Sequence, residues 1–264
     1  MSIILGGEKI PTPGIETISW LDDPNVPKAT DGARRKNWIR AIVLHTVKGK
    51  LGGLKPGVKS STRAETYATY QAHTSRDVSW DYTIDTDGTV VVSNDPIEKY
   101  TWHAGDVNGF TLGIELVQDE NGDVWQGQID ATVKFLDFVT RELAKRNHPI
   151  QRQVPITGSG SPVRGVIARI EKDSDAKNVV GIYGHRNQTN NRGPGDPGDH
   201  IFNALLNAGY KGFNLDAKED LVFWASTQRL LGIENPDGVP GPKTALALKA
   251  AGHPHGLWVT RPGD

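Results

Sequence analysis

Cysteine is absent from the 264-residue chain, which excludes disulfides and thiolate ligands and leaves His, Asp and Glu to hold any metal. No apolar run approaches the roughly 20 residues that cross a bilayer, so membrane insertion is not expected. The opening MSIILGGEKIPTPG lacks the basic head and apolar stretch of a secretory signal, and the expectation is a protein made in the cytoplasm and kept there until something else releases it. Acids are scarce in one region. From Lys28 to Arg63, ten bases (Lys28, Arg34, Arg35, Lys36, Arg40, Lys48, Lys50, Lys55, Lys59, Arg63) accompany Asp31 alone. Such a patch attracts an anionic polymer or a carboxylate-bearing peptide; the plainer reading is a solvated face with ordinary loops. Internal repeats are missing too. What is present is a soluble globular composition, 36% hydrophobic and 23% charged with 7 Trp, on a length that suits a domain of about 200 residues with a small appendage.

Several elements can be placed from pattern. The stretch to Lys36, rich in Pro, Gly, Asp and Asn, reads as an irregular lead-in packed on the surface through Trp20. WIRAIVLHTV, Trp38 to Val47, reads as a buried central strand, and the glycine-rich loop GKLGGLKPGVK follows it. Ser61 or Thr62 then caps a helix to about Thr74, with Thr62 and Glu65 at capping-box spacing. SWDYTIDTDGTVVVS is a hairpin turning at Asp87-Gly88. FTLGIELV, Phe110 to Val117, is another strand with Glu115 embedded in it. A helix from about Asp130 to Asn147 puts Val133, Leu136, Val139 and Leu143 on one side. Pro149 to Asp175 resists placement, although TGSGSP, Thr157 to Pro162, has the composition of a mobile loop and VRGVIARI that of a strand. A strand GIYGH and a helix from about Asp199 to Asn207 close the main domain. Beyond Gly212 the pattern becomes helix, turn, helix.

One stretch organises the chemistry. GIYGHRNQTNNRGPGDPGDHIF, from Gly181 to Phe202, sets His185 at a strand end and Asp196 in a loop stiffened by Gly and Pro. Gly184 lets backbone or ligand come close. His45 ends another buried strand, and strand ends of α/β sheets are where ligands collect. Two imidazoles and a carboxylate make a zinc site with one open position, where bound water is acidified toward neutrality. Glu115, costly to bury among apolar neighbours unless paired, is the natural general base. Taken singly, each residue has a blander role: a hydrogen-bonded histidine, an Asx-turn or helix cap at Asp196, an ion-pair partner at Glu115. His73, His148, His200, His253 and His255 read as structural or surface residues.

AIVLHTV, DYTIDTDGTVV, YTWHAG, TLGIELV and GIYGHR…DPGD, in that order, resemble the zinc-dependent N-acetylmuramoyl-L-alanine amidases of the type-2 amidase group, which share a fold with phage T7 lysozyme and the peptidoglycan recognition proteins. The resemblance covers roughly Trp38 to Phe202. It implies an α/β fold, a mixed central β-sheet flanked by helices, in a catalytic domain over 1–213. It also implies hydrolysis of the amide between the muramic acid lactyl group and L-alanine. By position, His45, His185 and Asp196 become the Zn2+ ligands and Glu115 the catalytic carboxylate, while His103, Trp102 and Trp80 fall along the substrate groove. Two positions depart from the pattern. Pro194 stands where many relatives have an oxyanion-stabilising lysine, with Arg192 the nearest cation able to substitute. Asp81 stands where relatives often have a histidine. QRLLG (Gln228 to Gly232) and DGVPGPKT (Asp237 to Thr244) resemble the small helical peptidoglycan-binding module of wall hydrolases, giving a second, all-helical unit over 214–264; its blander reading is a helical hairpin packed on the main domain. The expected partner is bacterial peptidoglycan, without nucleic acid or membrane insertion, for a monomer acting on the wall after release in the manner of a phage endolysin. A peptidoglycan-binding protein without catalysis, or a zinc peptidase cutting within the stem peptide, are the alternatives.

Overall fold

The computed structural model describes residues 1–22, 33, 38–47, 62–118, 124–157, 159–163, 181–188 and 196–213, with scattered positions between 228 and 250. The opening is more regular than its composition suggests. β1 (Ser2–Leu5) and β2 (Glu8–Pro11) form an antiparallel hairpin with Ser2 opposite Pro11, and β3 (Thr17–Ser19) follows. Glycines and prolines mask the signal, but Ile3 and Leu5 alternate inward and are fully buried in the main core, while Trp20 is buried in a second one. The irregular lead-in is therefore corrected to three short strands.

The apolar run after Trp38 becomes β4 (Ala41–Val47), and the segment after Thr62 becomes α1 (Arg63–His73). The hairpin is β5 (Tyr82–Ile84) and β6 (Val90–Val92), paired antiparallel with Tyr82 opposite Val92. A 3₁₀ turn (Gly105–Phe110) leads into β7 (Thr111–Val117), and α2 (Gln126–Lys145) follows. β8 (Gln153–Pro155), β9 (Gly181–Gly184), α3 (Asp199–Asn207) and β10 (Lys211–Phe213) complete the described elements. Six strands form one mixed sheet in the order β3-β6-β5-β7-β4-β9, and β8 pairs in parallel with β10 in a separate ribbon. β5, β7, β4 and β9 are mutually parallel, so their C-terminal ends share one edge. No described helix is long and apolar enough to cross a membrane.

The two-residue period of a strand divides this sheet. Ile42 and Leu44 of β4, Ile114 and Leu116 of β7, and Tyr82 and Ile84 of β5 enter the main core with Phe135, Leu136 and Val139 of α2 and Phe202 and Leu205 of α3. Each such side chain contributes roughly 1.5–3 kcal/mol by burial. The opposite face carries Ala41 and Val43 against Tyr183, and Val117 and Val91 against Ala64, Tyr67 and Ala68 of α1.

Two helix starts differ from expectation. Thr62 occupies the cap position of α1 but makes no side-chain cap bond; Asp85, from the hairpin turn, accepts the Ala64 N–H at 2.8 Å instead. A carboxylate supplied by tertiary structure thus replaces the local capping box. α2 begins at Gln126 rather than near Asp130, because buried Gln128 donates from Nε2 to Ile84 O at 3.1 Å and Val117 O at 2.8 Å. That amide ties the first turn to two strand ends, a role with no apolar periodicity to announce it. In the stretch that resisted placement, Thr157 closes a turn by donating its N–H to Ser161 O at 2.8 Å. The strand expected at 163–170 lies outside the described residues beyond Val163, as do Arg192, Pro194, most of the basic stretch and nearly all of 214–264.

Candidate metal centre

Register places the chemistry. On the face turned away from α2, Thr83 of β5 stands beside Glu115 of β7, and Glu115 beside His45 of β4. β9 pairs Gly184 with Leu44, so His185, the next residue, arrives opposite His45 and opens a 3₁₀ turn. Parallel neighbours stand about 4.8 Å apart. One row across four strands therefore holds a carboxylate and two imidazoles at the C-terminal edge of the sheet.

The imidazoles of His45 and His185 are buried, meet at 71° with centroids 4.5 Å apart, and turn their Nδ1 atoms toward each other at 2.9 Å. Asp196 Oδ2 lies 3.6 Å from His185 Nδ1. One donor atom from each of His45, His185 and Asp196 falls within 4.8 Å of the others, a group that could hold a metal ion. The donor set fits the borderline character of zinc: two neutral nitrogens and one carboxylate oxygen.

The supports of this cluster were not foreseen from sequence. Thr46, one residue past His45, donates its N–H to Asp196 Oδ1 at 2.9 Å, with its hydroxyl at 3.4 Å from the same atom. One carboxylate oxygen is thereby occupied while Oδ2 faces the histidines. Arg186 donates its backbone N–H to Asp196 O at 3.1 Å, reaches Asp199 Oδ1 with Nη1 at 2.8 Å, and lays its guanidinium 4.8 Å over the Phe202 ring. Almost no part of its side chain is exposed, so a buried cation joins the aspartate loop to the start of α3. Asn187 accepts the Gly184 N–H at 2.9 Å through Oδ1 and donates to Val163 O at 2.8 Å. Gly184 is required for the approach: a Cβ there would lie 2.8 Å from Pro197 Cδ and 2.9 Å from Asp196 O. The close neighbours anticipated from that glycine are the Pro197 ring and the Asp196 carbonyl. The available signal for Arg186 was a cation directly after a strand-end histidine in an apolar setting.

The residues expected along the groove separate. Trp102 is 38% exposed, stands edge-on to Tyr100 at 5.2 Å, and has its backbone fixed by bonds to and from Ser79. Trp80 is only 3% exposed; it packs with Trp20, Tyr67 and Val91, and its indole N–H donates to Thr83 Oγ1 at 2.7 Å. An indole so enclosed supports the row from behind and offers substrate almost no surface. His103 is buried as well, with Nδ1 3.0 Å from His45 Nε2. It approaches His45 on the side away from His185. Asp81 is a fully buried tie whose Oδ2 accepts from Gly113 N at 2.8 Å and Thr101 Oγ1 at 3.2 Å.

Burial tunes two groups near the row. The Tyr67 phenol is pushed up mainly by burial, with the Glu115 and Asp85 carboxylates adding and Arg63 opposing. Asp85 is also raised by burial, partly offset by the N–H groups of Ala64 and Thr86.

Known proteins share parts of this chain. N-acetylmuramoyl-L-alanine amidase CwlH of Bacillus subtilis is 31% identical over 98 residues, covering 35% of this chain and 36% of CwlH, so the match spans about a third of that relative. Among solved structures, a selenomethionine AmpD derivative is 21% identical, covers 74% of this chain and 95% of its own, and superposes with a TM-score of 0.42. N-acetylmuramoyl-L-alanine amidase LysC from Clostridium intestinale is 14% identical over 76% of this chain and 100% of its own, at a TM-score of 0.43. The N-acetylmuramoyl-L-alanine amidase family model matches residues 34–199, well over half of the sequence, and the protein belongs to that family.

Proposed function

We propose that this protein is a zinc-dependent N-acetylmuramoyl-L-alanine amidase, hydrolysing the amide between the lactyl group of N-acetylmuramic acid and L-alanine of the peptidoglycan stem. The observation that carries the reading is the His45, His185 and Asp196 cluster with Glu115 beside His45 in strand register. A zinc ion held by those three residues would supply Lewis acidity and an acidified water. Glu115 accepts a proton from the attacking water at its carboxylate and returns it to the leaving amine of L-alanine, so one C–N bond is exchanged for one C–O bond. Its register position beside His45 on β7 puts the carboxylate next to the proposed metal ligands. Thr46 and Arg186 keep Asp196 aimed, which preserves the geometry without touching substrate. Trp102, backed by Tyr100, offers an amphipathic face to sugar or peptide. Arg192 is proposed to stabilise the oxyanion in place of the missing lysine, and 214–264 to retain the enzyme on the wall.

Mass spectrometry of soluble products from purified sacculi, with and without a zinc chelator, tests this. Chelator-sensitive release of intact stem peptides beginning at L-alanine is expected. Shorter peptides would move the cut into the stem, and binding without release would leave a recognition protein.

A further inference from the structure

The proposed hydrolysis gives His103 no task, yet it is the third imidazole of the centre. Its Nδ1 is 3.0 Å from His45 Nε2, and its Nε2 is 3.2 Å from Thr111 Oγ1. The Thr111 hydroxyl donates to Val107 O at 2.9 Å. This line of contacts ends on a carbonyl, which can only accept, and so it has a direction. With its proton committed to Val107 O, the Thr111 oxygen meets His103 as an acceptor, which puts the His103 N–H on Nε2. In the neutral imidazole a proton on Nε2 leaves a lone pair at Nδ1. That lone pair accepts the proton of His45 Nε2. His45 is left with its own lone pair on Nδ1, the atom that faces His185.

We infer that His103 and Thr111 are positioning residues, a relay that holds His45 as the Nε2–H tautomer and so prepares Nδ1 for a divalent cation such as zinc; the inference rests on the metal-centre reading above. Independent features of the fold make room for it. A Cβ on Gly113 would stand 2.7 Å from His103 Cγ and 2.9 Å from its Nδ1, so a glycine in the middle of β7 is what lets the imidazole lie across the strand. Asn108 Oδ1 accepts the N–H groups of both His103 at 3.0 Å and Ala104 at 2.6 Å, fixing the loop that carries the ring. The free energy of choosing the tautomer is thereby met by folding, before any ion arrives. Outer partners of this type typically change metal affinity by about 10- to 100-fold.

The test uses the full chain with zinc as the probe. Zinc affinity is measured by competition with a chromogenic chelator for the parent protein, His103→Ala, Thr111→Val and Thr111→Ser, beside thermal melts of the metal-free proteins and ¹⁵N NMR of their histidine tautomers. Thr111→Val keeps the side-chain volume and serves if His103→Ala does not fold. The expected result is a loss of about 10- to 100-fold in His103→Ala, a smaller loss in Thr111→Val, near-parental affinity in Thr111→Ser, and a His45 Nε2–H resonance in the metal-free parent. Parental affinity in both His103→Ala and Thr111→Val overturns the relay, as does an equal loss in Thr111→Ser and Thr111→Val, which would mean packing. A His45 Nδ1–H tautomer in a parent that binds zinc overturns the relay alone. A parent that binds no zinc overturns the metal-centre reading and the relay with it.

Discussion

The two faces of the central sheet are made by the same strands and do opposite things. Toward α2 and α3, Ile42, Leu44, Ile114 and Leu116 are fully buried hydrocarbon in one continuous core. On the other face the intervening positions bring His45, Glu115 and Thr83 into one row. Alternation therefore separates stability from chemistry residue by residue at this edge: damage to Leu44 and its core neighbours should unfold the protein, and damage to the His45 row should silence it while it stays folded.

The sharpest test of that division is His185→Ala or Asp196→Ala, expected to abolish zinc binding and amide hydrolysis together with little change in the metal-free melting curve. Zinc analysis beside a muropeptide assay checks it, and hydrolysis persisting in a metal-free His185→Ala protein would refute the site. Glu115→Gln comes next: zinc retained, with turnover lower by about 10²–10⁴, the usual contribution of a positioned acid–base group. On the other face, Leu44→Ala should cost about 2–5 kcal/mol in a denaturant titration, while the protein that remains folded keeps its zinc. A zinc loss as large as that of His185→Ala would show that the faces are not independent. Trp102→Ala should weaken sacculus binding by roughly tenfold or less, on the scale of about 1 kcal/mol for an exposed aromatic contact, with the melting curve unmoved.

The smallest effect concerns Asp85, which caps α1 from the hairpin turn. Burial raises its carboxyl above the ordinary value, so the protonated form is favoured by folding. Its contribution is complete below the unfolded-state pKa and is lost as pH rises through the folded one. Asp85→Asn can still accept the Ala64 N–H but cannot ionise. Its stability relative to the parent should rise as pH increases from about 4 through the folded value, a trend that urea titrations at several pH values would reveal or deny.

Much of this was legible in the chain. Long buried strands such as AIVLHTV announce themselves by unbroken β-branched and aliphatic character, and Asp87-Gly88 fixes its hairpin locally. His185 and Asp196 stood out because a Gly- and Pro-stiffened loop has few other ways to use them. The short strands β8 and β10 did not: they pair across a wide sequence separation, and no local pattern encodes such a partner. Ring direction was equally hidden. WHAG reads as a loop at a groove, but only the missing side chain at Gly113 hints that His103 turns inward. The burial of Trp80 was hidden for the same reason, since alternation does not say how a hairpin is covered from above.

The pairing of Glu115 with His45 also bears on strand register. A slip of β7 by one residue against β4 would set Leu116 beside His45 and thrust an ionisable carboxylate among Phe135, Leu136 and Val139. Burying an unpaired charge there costs several kcal/mol. The residue proposed to move a proton is in this sense also a proofreader of strand alignment, and a chain that brings His45, His185 and Asp196 together has counted its strands correctly.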